Sequence, residues 1–226
     1  MILLTLRADF YDRPMNHETL GKLLEGHNRS VLPMTLQDLR DVIEQPARLP
    51  DVRVEFEDGL VGDLLYEVRS QAGALPLLQF TLAQLFEKRA GHRLTLQAYR
   101  DLGGVRGALS KHAESVYEGL PSDQHRLLAR ALFLRLIEPG MTEQDTTRRR
   151  AALDELQLAD ATQTRLLNET ASVFVNARLL VTDQIADMDA EVDADVETIE
   201  VSHEALIREW TRLANWLRDA REDVRV

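Results

Sequence analysis

The sequence predicts a mainly α-helical fold with one small β-hairpin, and three observations support this prediction. Apolar residues recur at helical spacing through most of the chain, as they do in Leu75–Ala90 and Ser122–Ile137. Prolines and glycines stand at the borders of these segments. Two short β-prone runs, Leu179–Thr182 and Thr198–Val201, flank an acidic stretch. The expected architecture is therefore helices packed on helices with little sheet.

The N-terminal residues predict part of a sheet. Met1–Leu6 is an apolar run that ends at Arg7, which is the pattern of a buried strand. A helix is expected near Asn16–Glu25 and a second short strand at Ser30–Pro33. Because a globular domain rarely begins inside its own sheet, we interpret residues 1–29 as the remnant of a larger core domain.

Helices are expected from residue 35 to residue 137. Thr35 and Asp38 form a variant of the capping box, and Pro46 is expected to end the helix that they begin. The glycines of Gly103–Gly107 are predicted to connect two helices. The expected helices are Thr35–Gln45, Asp58–Ser70, Leu75–Ala90, Thr95–Leu102, Ala108–Leu120 and Ser122–Ile137.

The C-terminal third predicts a winged helix. Two more helices are expected near Ala151–Leu158 and Ala161–Ala177, and the hairpin follows them. A last helix, His203–Ala220, aligns four apolar residues on one face: Leu206, Trp210, Leu213 and Leu217. Three helices followed by a two-stranded hairpin are typical of a winged helix.

Composition excludes several classes of protein. The 226 residues include no cysteine, which removes disulfides, thiolate metal sites and thiol nucleophiles. The most apolar stretches, Leu75–Phe86 and Leu127–Ile137, are too short and too interrupted to span a membrane. We therefore expect a cytoplasmic protein with no membrane contact.

Motifs for self-sufficient catalysis are missing. The only Gly-Lys pair, Gly21-Lys22, is followed by Leu23 instead of Ser or Thr, so the sequence has no Walker A loop. His203-Glu204 begins like a zinc protease motif, but Ile207 stands where the second histidine is needed. We predict no catalytic residue and no metal ligand in this chain.

Three residues are candidates for ligand contact. Arg7 ends a predicted strand, where open α/β sheets place ligand-binding groups, although a solvent-facing arginine fits equally well. Pro76 opens a predicted helix and could pack on an adenine or simply begin the helix. His203 lies at a predicted strand-to-helix junction, where phosphate is favoured; it could also be an ordinary helix-entry residue.

Taken in order, five segments resemble one family. The chain resembles the C-terminal half of the nucleotide-binding module of STAND signalling NTPases, the class of apoptotic-protease activators and plant disease-resistance proteins. The resemblance is strongest to the bacterial STAND group fused to WD repeats. The segments are Leu4-Thr5-Leu6-Arg7-Ala8-Asp9-Phe10-Tyr11, Gly73-Ala74-Leu75-Pro76-Leu77-Leu78, Gly103-Gly104-Val105-Arg106-Gly107-Ala108-Leu109, Thr147-Arg148-Arg149-Arg150 and Val201-Ser202-His203-Glu204-Ala205-Leu206-Ile207-Arg208-Glu209-Trp210.

The resemblance implies a role for each candidate. Arg7 resembles the sensor-1 arginine that responds to the γ-phosphate, and Pro76 resembles the proline of the Gly-x-Pro motif beside the adenine. Ser202-His203-Glu204 is similar to the Met-His-Asp motif, whose histidine holds the β-phosphate of ADP. Ala74 stands at the glycine position of Gly-x-Pro, and Ser202 and Glu204 replace Met and Asp.

The resemblance also implies an organisation and partners. Residues 1–29 would be the remnant of the nucleotide-binding core, 30–120 a helical lid domain and 121–226 the winged-helix domain. ATP or ADP would be held by a P-loop core that, with an effector domain, precedes this chain. A WD-type repeat sensor would follow it, and a homo-oligomer would form on activation. No tightly bound nucleotide and no ATPase activity are expected of this chain alone.

Two other functions remain open at this point. A winged helix could bind DNA as a transcriptional regulator, but the hairpin region Val181–Glu200 carries eight acidic residues and no basic one. The helix Ala161–Ala177 has one base, Arg165, and the single basic cluster, Arg148–Arg150, is expected at the solvated start of a helix. The chain could also be a structural adaptor that binds no nucleotide.

Overall fold

A computed structural model of the chain describes residues 3–6, 11–69, 74–140, 146–186 and 195–224. The predicted mainly α-helical fold is confirmed, with short strands between helices. The chain divides into two units, Met1–Asp38 and the much larger Leu39–Val226.

The first unit contains two short helices, α1 (Asp12–Met15) and α2 (Glu18–His27). The two expected strands are wrong in the described part of the chain: residues 3–6 and 30–33 are unpaired, and Val31 is 96% exposed. An apolar run becomes a strand only when a neighbour accepts its backbone hydrogen bonds, and the described residues of this unit supply none.

α3 (Leu36–Ala47) begins as its sequence predicts. The Thr35 backbone N–H donates to Asp38 Oδ2 at 2.8 Å, and the Asp38 N–H donates to Thr35 Oγ1 at 3.2 Å. The prediction that Pro46 ends the helix is wrong, because Pro46 lies inside the last turn. A proline there removes one hydrogen bond, but its fixed φ is helical and Ala47 continues the turn.

The next helices pack around a central one. α7 (Gly104–Glu118) packs against α4, α5 and α6 and buries Ala108, Leu109 and Ala113 in their midst. The predicted connection at Gly103–Gly107 is shorter than expected, since the helix already begins at Gly104. The other elements are β1 (Glu55–Phe56), α4 (Leu60–Val68), α5 (Leu75–Glu87), β2 (Arg93–Leu94), which is parallel to β1, and α6 (Leu96–Leu102).

The C-terminal part contains a three-stranded antiparallel sheet with β7 in the middle, in the order β5-β7-β6. The hairpin expected across the acidic stretch is confirmed by β6 and β7. The elements are α8 (Asp123–Arg135), β3 (Ile137–Glu138), β4 (Thr147–Arg148), β5 (Ala151–Ala152), a 3₁₀ turn (Leu153–Leu156), α9 (Ala161–Asn176), β6 (Leu180–Ala186), β7 (Asp195–Val201), α10 (Glu204–Glu209) and α11 (Thr211–Val224).

Two C-terminal predictions are wrong. The segment 151–158 is a strand and a 3₁₀ turn instead of a helix, because Ala151 and Ala152 pair with β7 and this long-range pairing overrides local helical preference. The segment 203–220 is broken at Trp210, whose ψ of 98° separates α10 from α11. The apolar face expected of this segment is nevertheless buried.

Trp210 lies in an aromatic cluster that connects α7, α8, α9 and α11. Its ring centroid is 5.2 Å from Phe133, 5.4 Å from Trp216, 6.2 Å from Tyr117 and 6.4 Å from Phe174. The residue at which the helix breaks is therefore also the residue whose indole packs at the centre of this cluster.

A polar contact joins α7 to Trp210 and to α11. Glu114 of α7 accepts a hydrogen bond from Trp210 Nε1 at 2.8 Å and forms an ion pair with Arg212, whose guanidinium lies over the Tyr117 ring. Glu114 precedes the predicted domain border between residues 120 and 121, whereas Trp210 and Arg212 follow that border. The division into residues 1–29, 30–120 and 121–226 stays a prediction.

Candidate functional site

His203 lies where β7 ends and α10 begins. It is the N-cap residue of α10, with extended backbone angles, and Val201 before it and Leu206 after it are fully buried. Ser202 N–H donates to Leu179 O at 3.0 Å, which fixes the end of the strand. The His203 imidazole is partly buried and makes no hydrogen bond within the described part of the chain. The ring is therefore held in place by its backbone and is available to a ligand.

Arg148 lies beside this junction. Its Nη1 donates to Val201 O at 3.3 Å and to Ser202 O at 3.4 Å, which places the guanidinium next to the two residues before His203. The expectation that Arg148–Arg150 begin a solvated helix is wrong, because Arg148 belongs to β4 and pairs with Ile137 of β3. This pairing, together with the packing of β4 against α10, brings Arg148 to the site.

Two arginines share one carboxylate here. Arg150 donates to Glu200 through Nε at 3.3 Å and Nη2 at 3.2 Å, and Arg148 Nη1 lies 3.5 Å from Glu200 Oε1. The single negative charge of Glu200 therefore faces two guanidinium groups. Within this trio, one positive charge is left over beside His203.

The surroundings keep His203 neutral. Burial, and to a smaller extent the neighbouring Arg148 guanidinium, lower the pKa of His203 below its ordinary value of 6.5. At neutral pH the imidazole can therefore donate one hydrogen bond but brings no charge.

Ser202 contributes a polar atom without a partner. Its Oγ is buried and makes no hydrogen bond to any described residue. Buried hydroxyls are usually satisfied, so this atom leaves one hydrogen-bonding position open at the junction.

Pro76 lies in the first turn of α5, as predicted. It is partly buried, between the exposed Leu75 and the buried Leu77, and Ala74 before the helix is 2% exposed. In the described part of the chain no hydrogen bond or ion pair joins Pro76 to His203. Their helices, α5 and α10, both pack against α7.

The remaining candidate cannot be compared with the structure. Arg7 lies outside the described residues, as does Gly73 of the Gly73–Pro76 segment. The sensor role of Arg7 therefore stays a prediction.

Comparison with protein families gives a match that covers the whole chain. The family described as nSTAND1, Novel STAND NTPase 1, matches residues 1–226. The chain belongs to this family. The predicted resemblance to STAND NTPases is thereby confirmed. Comparison with curated proteins and with solved structures gave no match.

The glycine-rich segment of this STAND NTPase chain is already filled by the chain's own carboxylate. Glu67 Oε2 accepts a hydrogen bond from Val105 N–H at 3.0 Å, in the first turn of α7, and the Tyr99 hydroxyl donates to the other oxygen of Glu67. Gly103 and Gly104 have φ values of +85° and +74°, which favour glycine. The segment is therefore a helix start that Glu67 occupies, and its geometry leaves no cradle for phosphate.

The described residues of the STAND NTPase chain contain neither a cluster of metal-ligating side chains nor a membrane-spanning helix. They contain no group of three or more histidine, aspartate or glutamate side chains that could hold a metal ion. Among them, no helix combines the length and apolarity needed to cross a bilayer.

Proposed function

We propose that this chain is the regulatory part of a STAND NTPase switch. It contacts ADP or ATP held by a P-loop core and couples the state of the nucleotide to an effector domain. The observation that carries the proposal is the position of His203, which has no hydrogen-bond partner in the described part of the chain and lies at a strand-to-helix junction beside a surplus guanidinium. The family match over residues 1–226 supports the same function.

The proposal assigns the chain to two domains. Residues 30–120, which contain α3 to α7, are the proposed lid, and residues 121–226, which contain α8, α9 and the sheet β5-β7-β6, are the proposed winged helix. In the proposed switch, Pro76 packs on the adenine, His203 contacts the β-phosphate of ADP, and Arg7 responds to the γ-phosphate. A sensor of WD-type repeats and an oligomer formed on activation complete the parent protein.

The mechanism is a shift of populations. ADP contacts His203 only in the closed arrangement, so its affinity for that arrangement exceeds its affinity for the open one. This difference stabilises the inactive state, and exchange for ATP removes it.

The test uses nucleotide release from a protein that joins this chain to its P-loop core. His203→Ala is expected to speed the release of fluorescent ADP by about tenfold or more, since a hydrogen bond to a charged group contributes about 1.5–3 kcal/mol. His92→Ala, which changes an exposed turn histidine, is the control and should leave release unchanged. ADP release from the His203 variant at the wild-type rate would contradict the proposal.

DNA binding has less support than the nucleotide switch. The helix that would enter the major groove is α9, and its single base, Arg165, donates to Glu169 at 3.0 Å. The hairpin next to it is acidic. Phosphate contact along a duplex needs clustered positive charge, and this surface has none to offer in its described residues.

A further inference from the structure

We propose that Arg148 is a second phosphate-binding residue beside His203, and that the pair holds the terminal phosphate of a nucleoside diphosphate. This inference rests on the proposed contact between His203 and nucleotide. Arg148 would supply the positive charge that a phosphate contact requires and that His203 lacks.

His203 and its helix cannot supply that charge. The sequence predicts a helix over His203–Ala220, whose dipole would favour an anion, but the break at Trp210 leaves α10 with six residues. Since the pKa of His203 is lowered, its imidazole is neutral at pH 7. A phosphate group is bound most strongly by donors that carry charge, so a cationic side chain is needed nearby.

Arg148 has the donors to meet this need. All its polar contacts within the described residues, to Val201 O, Ser202 O and Glu200, are made by Nη1. Its Nε and Nη2 have no partner among those residues. A guanidinium presents such nitrogens in a planar fork that matches two phosphate oxygens.

The charge of Arg148 is also incompletely balanced. Glu200 is already engaged by both Nε and Nη2 of Arg150, whereas Arg148 approaches it through one nitrogen at 3.5 Å. Arg149 is the matched control: it is the next residue in the chain, but its guanidinium pairs with Glu155 at 2.5 Å and donates to Arg135 O at 3.2 Å, away from Glu200.

A purely structural role for Arg148 makes a different prediction. In that case Arg148 only connects β4 to the end of β7, and its removal lowers stability without changing how His203 responds to phosphate. Arg148→Gln separates the two roles when stability and affinity are both measured: the shorter, neutral side chain supplies no guanidinium fork, and a purely structural loss lowers the stability without changing the affinity of the folded chain.

The experiment follows the imidazole Cε1–H signal of His203 by NMR in the full 226-residue chain, with His203→Ala to assign the signal. ADP, AMP and inorganic pyrophosphate are the probes. We expect a saturable shift with ADP and pyrophosphate, and weaker binding of AMP. Arg148→Gln should raise the dissociation constant for pyrophosphate by about tenfold or more, and Arg149→Gln by no more than about twofold. Thermal unfolding of each variant verifies that it is folded.

The outcomes separate the two proposals. Wild-type affinity for pyrophosphate in the Arg148 variant, with the signal of His203 still responding, overturns the role of Arg148 and leaves the role of His203 intact. Equal losses in the Arg148 and Arg149 variants also overturn it. No saturable response of His203 in the wild-type chain at about 10 mM probe overturns the phosphate site of Arg148 and His203 in this chain, whereas the ADP-release test in the protein with its P-loop core decides the proposed function.

Discussion

Gly104 lies so close to the Glu67 carboxylate that there is no room for a side chain at residue 104. A Cβ atom placed on Gly104 would overlap with Glu67 Oε1, and the φ of +74° is itself unfavourable for any other residue. The glycine therefore permits the carboxylate of Glu67 to reach the first turn of α7.

Gly104→Ala is expected to destabilise the chain by about 2–4 kcal/mol, because strain in φ of about 1–2 kcal/mol is joined by loss of the contact with Glu67. Urea unfolding measures the change. Gly59→Ala is the matched control, since Gly59 also has a positive φ but has no atom within 4 Å of the position that a methyl group would take. Equal losses for the two variants would show that Glu67 contributes nothing.

Local signals were enough to predict some residues correctly. The reciprocal hydrogen bonds of Thr35 and Asp38 depend on two residues that are three positions apart. Arg148 could not be placed in this way, since its partners Val201 and Ser202 are 53 and 54 residues distant. Three successive arginines in an acidic chain were its only signal.

At the scale of elements, the long amphipathic helices could be predicted and the short strands could not. The apolar spacing that predicts α5, α8 and α9 lies entirely within the sequence of each helix. The helix break at Trp210 depends on Glu114, which is 96 residues away, and on rings from other helices. A contact between distant segments decides the local conformation there.

Glu114→Ala is expected to lower the free energy of unfolding by about 1–3 kcal/mol, because it leaves Trp210 Nε1 and Arg212 without their acceptor. Arg165→Ala, which breaks an exposed pair within α9, should cost no more than about 0.5 kcal/mol. Urea unfolding compares the two variants, and similar small losses would contradict the importance of Glu114.

The Glu114 carboxylate also makes the free energy of unfolding depend on pH. Hydrogen bonding to Arg212, opposed by burial, lowers the pKa of Glu114 below 4.5 in the folded chain. The unfolded chain therefore binds the proton first as the pH falls, so this stabilisation is present above about pH 4.5 and is lost through the folded pKa. Glu114→Gln should remove this part of the acid sensitivity, which urea unfolding at a series of pH values would measure.

At the scale of the whole molecule, charge is spread unevenly along the chain. Eight of the acidic residues lie between Val181 and Glu200, and the last of them, Glu200, faces the guanidinium groups of Arg148 and Arg150. The basic residues beside His203 thus lie at the edge of the most acidic segment of the chain.

The purified chain is expected to show no ATP hydrolysis above background, because the Walker A lysine and the residues that bind Mg²⁺ are missing from its sequence. A phosphate-release assay with the His203→Ala variant as a second sample measures this. Activity that stays constant per milligram through successive purification steps would contradict the prediction.

The Glu67 carboxylate competes with any dissolved anion for the free N–H groups at the start of α7. Because Glu67 is attached to the same chain, it meets Val105 N–H at an effective concentration that no mobile anion in solution can easily match. A diffusing phosphate would have to displace this internal ligand and expose it to water. The start of α7 is therefore a permanently liganded helix end, closed to other anions by the chain's own carboxylate.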